Sequence, residues 1–168
     1  MKRIILHWTA GTNQPCNTDY QHYHYLVNGD GVVVEGKFPV SANEVCKADK
    51  NGKALYAAHC GGGNTGSIGV SMCGMYVPAN TNIKNTKYPL TKVQCEATFK
   101  LLAQLCKKYG FAVTPQTVMT HYEFGKANPK TSSAGKIDII FLPAYPDVKQ
   151  AEIGDFIRSK VKWYLSKL

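Results

Sequence analysis

Short apolar runs, set far apart and separated by turn-rich sequence, limit what this chain can fold into more than any other feature. The run from Arg3 to Leu6 stops at His7, and the run from Val118 to Thr120 stops at His121. Runs this short, bounded by turn residues, read as buried strands. Residues 23 to 27 (Tyr-His-Tyr-Leu-Val) and 32 to 35 (Val-Val-Val-Glu) are rich in aromatic and β-branched residues. Asn28-Gly29-Asp30-Gly31 lies between them, and together they form a hairpin signal. Residues 67 to 72 read as a further strand, whose small residues point to the close approach of another backbone. Two segments carry a helical period instead. Thr91 and Gln94 form a capping box ahead of Val93, Ala97, Leu101, Leu102, Leu105 and Tyr109, and Gly110 ends the helix. Ile153, Phe156, Ile157, Val161, Tyr164 and Leu165 define a second helix over roughly 150 to 166. Residues 41 to 53, 76 to 90 and 122 to 147 read as irregular. Interspersed strands and helices predict an α/β class with one central sheet.

The 168 residues fit one domain over 1–168, with no separate wall-binding domain. The formal charge of +9 calls for an anionic partner: nucleic acid, a membrane surface or an acidic polymer. The basic residues are scattered, so no nucleic-acid arm is expected. No stretch approaches the ~20 apolar residues of a membrane span. The N-terminal apolar run is too short for a signal peptide, so synthesis in the cytoplasm without a Sec signal is expected. In a reducing compartment the six cysteines read as free thiols, several of them buried.

The histidines are the first candidates for chemistry. His7 and His121 each close a strand, where α/β proteins place functional groups, although a lone histidine there is more often a structural hydrogen-bonder. His22 and His24 form a His-x-His pair that would share one face of an extended segment, also a metal geometry. Spacing alone does not choose between the pairs. In Lys136-Ile137-Asp138, extended chain would turn Lys136 and Asp138 to one side and Ile137 into packing. That arrangement is usually a surface ion pair. Beside two histidines, the carboxylate completes a three-ligand zinc site with an open position, and the lysine becomes a cation near a developing oxyanion.

Four motifs, in order, resemble one family. They are Ile4-Ile5-Leu6-His7-Trp8-Thr9-Ala10-Gly11; Tyr23-His24-Tyr25-Leu26-Val27 with Gly29-Asp30-Gly31; Ala57-Ala58-His59 with Gly63-Asn64 and Ser67-Ile68-Gly69-Val70; and Thr120-His121 with Lys136-Ile137-Asp138. They are similar to motifs of the zinc-dependent N-acetylmuramoyl-L-alanine amidases, a family related to phage lysozymes and peptidoglycan recognition proteins. The resemblance spans roughly residues 4 to 140. It implies a central mixed β-sheet flanked by helices, and one Zn2+ per chain on His7, His121 and Asp138. It further implies that Tyr23 and Lys136 flank the scissile carbonyl, that His24 is a sheet residue, and that His59 is a cleft-wall residue. Trp8 and Asn64 join His59 as candidate substrate contacts, in a groove running past Gly61 to Asn64.

Some subfamilies carry a catalytic glutamate where this chain has Ser71; those with tyrosine at the position of Tyr23 commonly lack it. Ile139-Ile140 replaces the family's frequent Pro-Gly, and the stretch from His121 to Lys136 is longer than in compact relatives. The expected activity is hydrolysis of the amide between N-acetylmuramic acid and L-alanine, as in phage endolysins, acting on the wall after release. The expected partner is peptidoglycan, and the expected state is a monomer. The alternatives are an inactive peptidoglycan-binding module, a cytosolic amidase recycling muropeptides, and a nucleic-acid binder suggested by charge alone. The basic face of the C-terminal helix offers weak contact with an anionic membrane. Packing of its apolar stripe as an ordinary core helix is the favoured reading.

Overall fold

A computed structural model describes residues 1–168. Five strands form one mixed sheet: β1 (Arg3–Trp8), β2 (Tyr25–Val27), β3 (Val33–Glu35), β4 (Ser67–Met72) and β5 (Val118–Thr120), in the order β3-β2-β4-β1-β5. The β2–β3 hairpin is antiparallel and all other pairings are parallel. The helices are α1 (Asn17–His22), α2 (Lys92–Tyr109), α3 (His121–Ala127) and α4 (Ile153–Leu165). This is the expected α/β architecture of a central mixed sheet flanked by helices.

Side-chain alternation divides the sheet into two chemically different faces. Ile4, Leu6 and Trp8 of β1 and Ile68, Val70 and Met72 of β4 join the main core with α2 and α4. Ile5 belongs to a separate small cluster with Cys60 and Phe124, so the odd-numbered residues of β1, His7 among them, face the other way. On β4 the residues of that second face are Ser67, Gly69 and Ser71. Their small size leaves room for rings. A Cβ on Gly69 would lie 2.6 Å from the His59 ring, so the close neighbour is a side chain and not the backbone that the small residues suggested.

The α2 helix begins and ends where its sequence signals lie. Thr91 Oγ1 accepts from the Gln94 amide at 3.1 Å, the Thr91 amide donates to Gln94 Oε1 at 3.0 Å, and Gly110 closes the helix at φ 72°. The Gln94 carboxamide, fully buried, also donates to the carbonyls of Val27 and Cys73. The α4 stripe packs against α2, with Ile153, Ile157 and Val161 buried.

Two helices were not anticipated. The α1 helix, in a segment with no assigned structure, has no apolar period to reveal it. The α3 helix starts at His121 and corrects the expectation of irregular structure from residue 122 onward. Its capping box was present in the sequence as Thr120 and Glu123: Thr120 Oγ1 accepts from the Glu123 amide, and Glu123 Oε1 accepts from the Thr120 amide. The six cysteines are free, and Cys60, Cys73, Cys95 and Cys106 are buried. No helix is long and apolar enough to cross a membrane.

His24 is 2% exposed just before β2. It accepts from the Gly69 amide through Nδ1 and donates through Nε2 to Asn43 Oδ1, each at 2.9 Å. Burial lowers its pKa to about 4 against the opposing effect of the Asn43 bond. The folded pKa lies below the ordinary 6.5, so the unfolded chain takes up a proton that the folded chain refuses. Stability present above pH 6.5 is therefore lost as pH falls toward 4, with His24 contributing about 3 kcal/mol to that loss. Urea unfolding at pH 7 and pH 4 is expected to show a smaller loss in His24→Gln than in the native chain.

Candidate active site and metal centre

The parallel register brings the two strand-closing histidines together. Leu6 pairs with Thr120, so His7 on β1 and His121 at the start of α3 are neighbours at the carboxyl ends of adjacent strands. In open α/β sheets this edge is where ligands gather. His7 Nδ1 lies 3.1 Å from His121 Nδ1 and 2.9 Å from Asp138 Oδ2, and His121 Nδ1 lies 3.1 Å from the same Oδ2. All three residues are buried.

Three donor atoms this close suit a tetrahedral ion. Bonds of about 2.0–2.1 Å to zinc place donors about 3.3 Å apart. The group His7, His121 and Asp138 could hold a metal ion. His22 and His24 do not form the alternative site. His22 ends α1 with Nδ1 on the Ala58 carbonyl at 2.7 Å, and His24 is committed to Asn43 and Gly69.

The charges at the centre follow from burial and contact. Burial lowers the His7 pKa and outweighs the raising effect of Asp138. At His121 burial also opposes the charge, but close contact with Asp138 and with Cys60 prevails and lifts the pKa to about 9. Burial pushes Asp138 upward, yet the close His121 and His7 rings hold its carboxyl well below the usual range. The centre thus keeps its carboxylate and attracts positive charge.

A cleft of about 410 Å³ opens beside the triad. Its lining includes Tyr23, His59, Lys136, Ile137 and Asp138, and an apolar wall of Trp8, Met75, Val77 and Ile83. A larger cavity of about 610 Å³ beside α3, lined by Tyr122, Lys126 and Gln150, holds none of the triad. Convergent polar groups make the smaller cleft the candidate site.

Lys136 is exposed and makes no ion pair. The usual reading of a Lys-x-Asp pair therefore does not apply. Residues 133 to 140 form turns, with the Lys136 amide bonded to the Ser133 carbonyl and the Ile140 amide to that of Ile137. The extended-chain argument fails there: Ile137 is 49% exposed on the cleft, and Ile139 is the buried residue.

The Tyr23 ring packs 5.2 Å from that of His7, and burial first, then the Asp138 charge, holds its hydroxyl well above the usual range. Ser71 Oγ is the chain's one buried side-chain polar atom without a hydrogen-bond partner.

His59 lines the cleft, but its ring is also bound inward. Nδ1 lies 2.9 Å from His7 Nε2, and Nε2 lies 3.4 Å from the Ser67 carbonyl. Asn64 is not among the cleft residues. Its Oδ1 accepts from the amides of His59 and Cys60 at 2.9 and 2.8 Å. The expected groove past Gly61 to Asn64 is filled by the chain itself. A Cβ on Gly61 would lie 1.8 Å from Ser132 Oγ, and one on Gly62 would lie 2.4 Å from Thr131 Cγ2. Ser133, within the long stretch between His121 and Lys136, lies beneath His121 with Oγ 2.9 Å from Nε2.

The chain belongs to the N-acetylmuramoyl-L-alanine amidase family, whose model matches residues 1–135. Lys136 and Asp138 lie just beyond the matched span. No curated protein matches. Among solved structures, the chain is similar to N-acetylmuramoyl-L-alanine amidase LysC from Clostridium intestinale URNW, at 19% identity and TM-score 0.45, with 71% of this chain and 69% of that chain covered. It is also similar to the ectodomain complex of peptidoglycan recognition proteins LCa and LCx bound to tracheal cytotoxin, at 18% identity and TM-score 0.48, with 79% and 75% covered. Drosophila peptidoglycan recognition protein SA is similar at 18% identity and TM-score 0.44, with 71% and 66% covered.

Proposed function

We propose that this chain is a zinc-dependent peptidoglycan amidase that cleaves the bond between N-acetylmuramic acid and L-alanine. One observation carries the reading: two histidine Nδ1 atoms and a carboxylate oxygen converge within 3.1 Å beside a cleft bearing an unpaired lysine. His7, His121 and Asp138 would hold the ion. Zinc bound there supplies Lewis acidity for the scissile carbonyl and acidifies a water nucleophile.

The remaining groups act on the substrate. Lys136 presents an exposed, unpaired cation to the carbonyl oxygen as negative charge develops on it. Tyr23 keeps its proton at neutral pH and serves as a hydrogen-bond donor, either to that oxygen or toward the departing alanine amine. Trp8, Val77 and Ile83 offer apolar surface to the lactyl group and the alanine methyl. The net charge of +9 favours residence on anionic wall polymer.

Purified cell walls provide the test. Turbidity is expected to fall while alanine amino groups appear, chelator should stop both, and added zinc should restore them. Wall binding without freed amino groups would make the chain a recognition module instead. Lys136→Ala is expected to retain zinc while kcat drops roughly a hundredfold, because the cation acts mainly in the transition state. Undiminished turnover in that variant would remove Lys136 from the reaction.

A further inference from the structure

The two histidines of the triad share a feature that their distance from Asp138 does not explain: each has its outer nitrogen engaged. We propose that His59 and Ser133 are positioning residues that fix the proton of each histidine on Nε2 and so leave both Nδ1 lone pairs directed at the ion. The proposal rests on the metal reading given above and assigns it two residues outside the ligand set.

Hydrogen-bond valence carries the argument. A backbone carbonyl can only accept. His59 Nε2 faces the Ser67 carbonyl at 3.4 Å and must donate to it. The neutral ring then has an acceptor at Nδ1, which faces His7 Nε2 at 2.9 Å. His7 must therefore carry its proton on Nε2 and present a bare Nδ1 to Asp138 and His121.

The second chain reaches the same end by other chemistry. Ser133 Oγ donates its single proton to the Gly61 carbonyl at 2.7 Å. Toward His121 Nε2, 2.9 Å away, that oxygen can only accept, so His121 also carries its proton on Nε2.

Both chains end on carbonyls of one segment, residues 59 to 67. Local packing holds that segment to the loop bearing Ser133. A Cβ on Gly61 would meet Ser132 Oγ at 1.8 Å, and one on Gly62 would meet Thr131 Cγ2 at 2.4 Å. His59 is held separately: its ring lies over Gly69, and its amide is bonded to Asn64. Two ligands 114 residues apart are thus oriented by a single turn. Outer partners of this kind set the tautomer and orientation of metal-bound histidine, and their loss typically weakens metal binding 10- to 100-fold.

The test measures zinc affinity by chelator competition in paired variants. His59→Phe keeps an aromatic ring over Gly69 but removes the acceptor; His59→Asn places a carboxamide oxygen near the Nδ1 position. Ser133→Ala removes the hydroxyl, whereas Ser133→Thr keeps it. His59→Phe and Ser133→Ala are each expected to weaken zinc about 10- to 100-fold. His59→Asn and Ser133→Thr should recover most of the loss, and far-ultraviolet dichroism of the metal-free proteins should remain native. In the zinc-loaded native chain, long-range proton–nitrogen spectra should place the ring protons of His7, His121 and His59 on Nε2. A proton on Nδ1 of His59, or unchanged affinity in both His59→Phe and Ser133→Ala, would overturn the proposal. Failure of the native chain to take up zinc would instead overturn the metal reading beneath it.

Discussion

If the chain is the zinc amidase proposed above, replacement of His7 or His121 by alanine is expected to abolish amide hydrolysis, with a loss of about a thousandfold or more, because each would remove one of three donors from the ion that acidifies the nucleophile. The donors share a triangle with edges of 2.9 to 3.1 Å, so two of them cannot reproduce the site alone. The loss should extend to metal content and to stability. At free zinc a hundredfold above its dissociation constant, the native chain should gain about 2.7 kcal/mol, or roughly 5 to 10 °C in melting temperature for a domain of this size. His7→Ala and His121→Ala should show almost none of this zinc-dependent shift. Zinc content and wall lysis that survive either substitution would refute the ligand set. Asp138→Ala is expected to behave likewise, with the additional loss of the carboxylate that draws positive charge to the centre.

Deletion of residues 150–168 is expected to unfold the protein or render it insoluble. Ile153, Ile157 and Val161 are buried against the main core, and Phe156 packs edge-on against Phe99 with centroids 6.1 Å apart. Burial of three aliphatic side chains is worth roughly 1.5 to 3 kcal/mol each. Their sum alone is comparable with the whole stability of a typical domain, about 5 to 15 kcal/mol.

Polar ties add to the loss. Lys160 and the Tyr164 hydroxyl both reach Glu96, at 2.9 and 2.7 Å. Arg158, 6% exposed, donates to the Val118 carbonyl and to both Glu123 oxygens at 3.0 Å, which links α4 to the helix that starts at His121. The face left to solvent carries Lys162, Lys167 and Trp163, the last 55% exposed with the Lys167 ammonium 5.3 Å from its ring centroid. Soluble expression and thermal melts of the truncated chain provide the check. A truncated protein that stays folded, holds zinc and still cleaves purified wall while losing activity on intact cells would return α4 to the membrane role.

The local architecture was legible in the sequence because its causes act over a few residues. The capping box at Thr91 and Gln94, the stop at Gly110, the 28–31 turn and the stripe of α4 all depend on neighbours within one or two turns of chain. Even α3, which was missed, had its Thr120 and Glu123 signal in view. The site was legible only in part. Strand-closing positions made His7 and His121 candidates, but His22 and His24 stood equal to them by spacing, and the family resemblance alone preferred the first pair. Tertiary structure chose. The parallel pairing of Leu6 with Thr120 sets His7 beside His121, and a turn at 133–140 brings in Asp138 from 131 residues away. The same turn exposes Ile137, which extended chain would have buried, and the loop that precedes it fills the glycine run that read as a substrate groove. Periodicity and capping report where a side chain points along its own element. Which side chains meet is set by strand register and loop path, and those are properties of the assembled sheet.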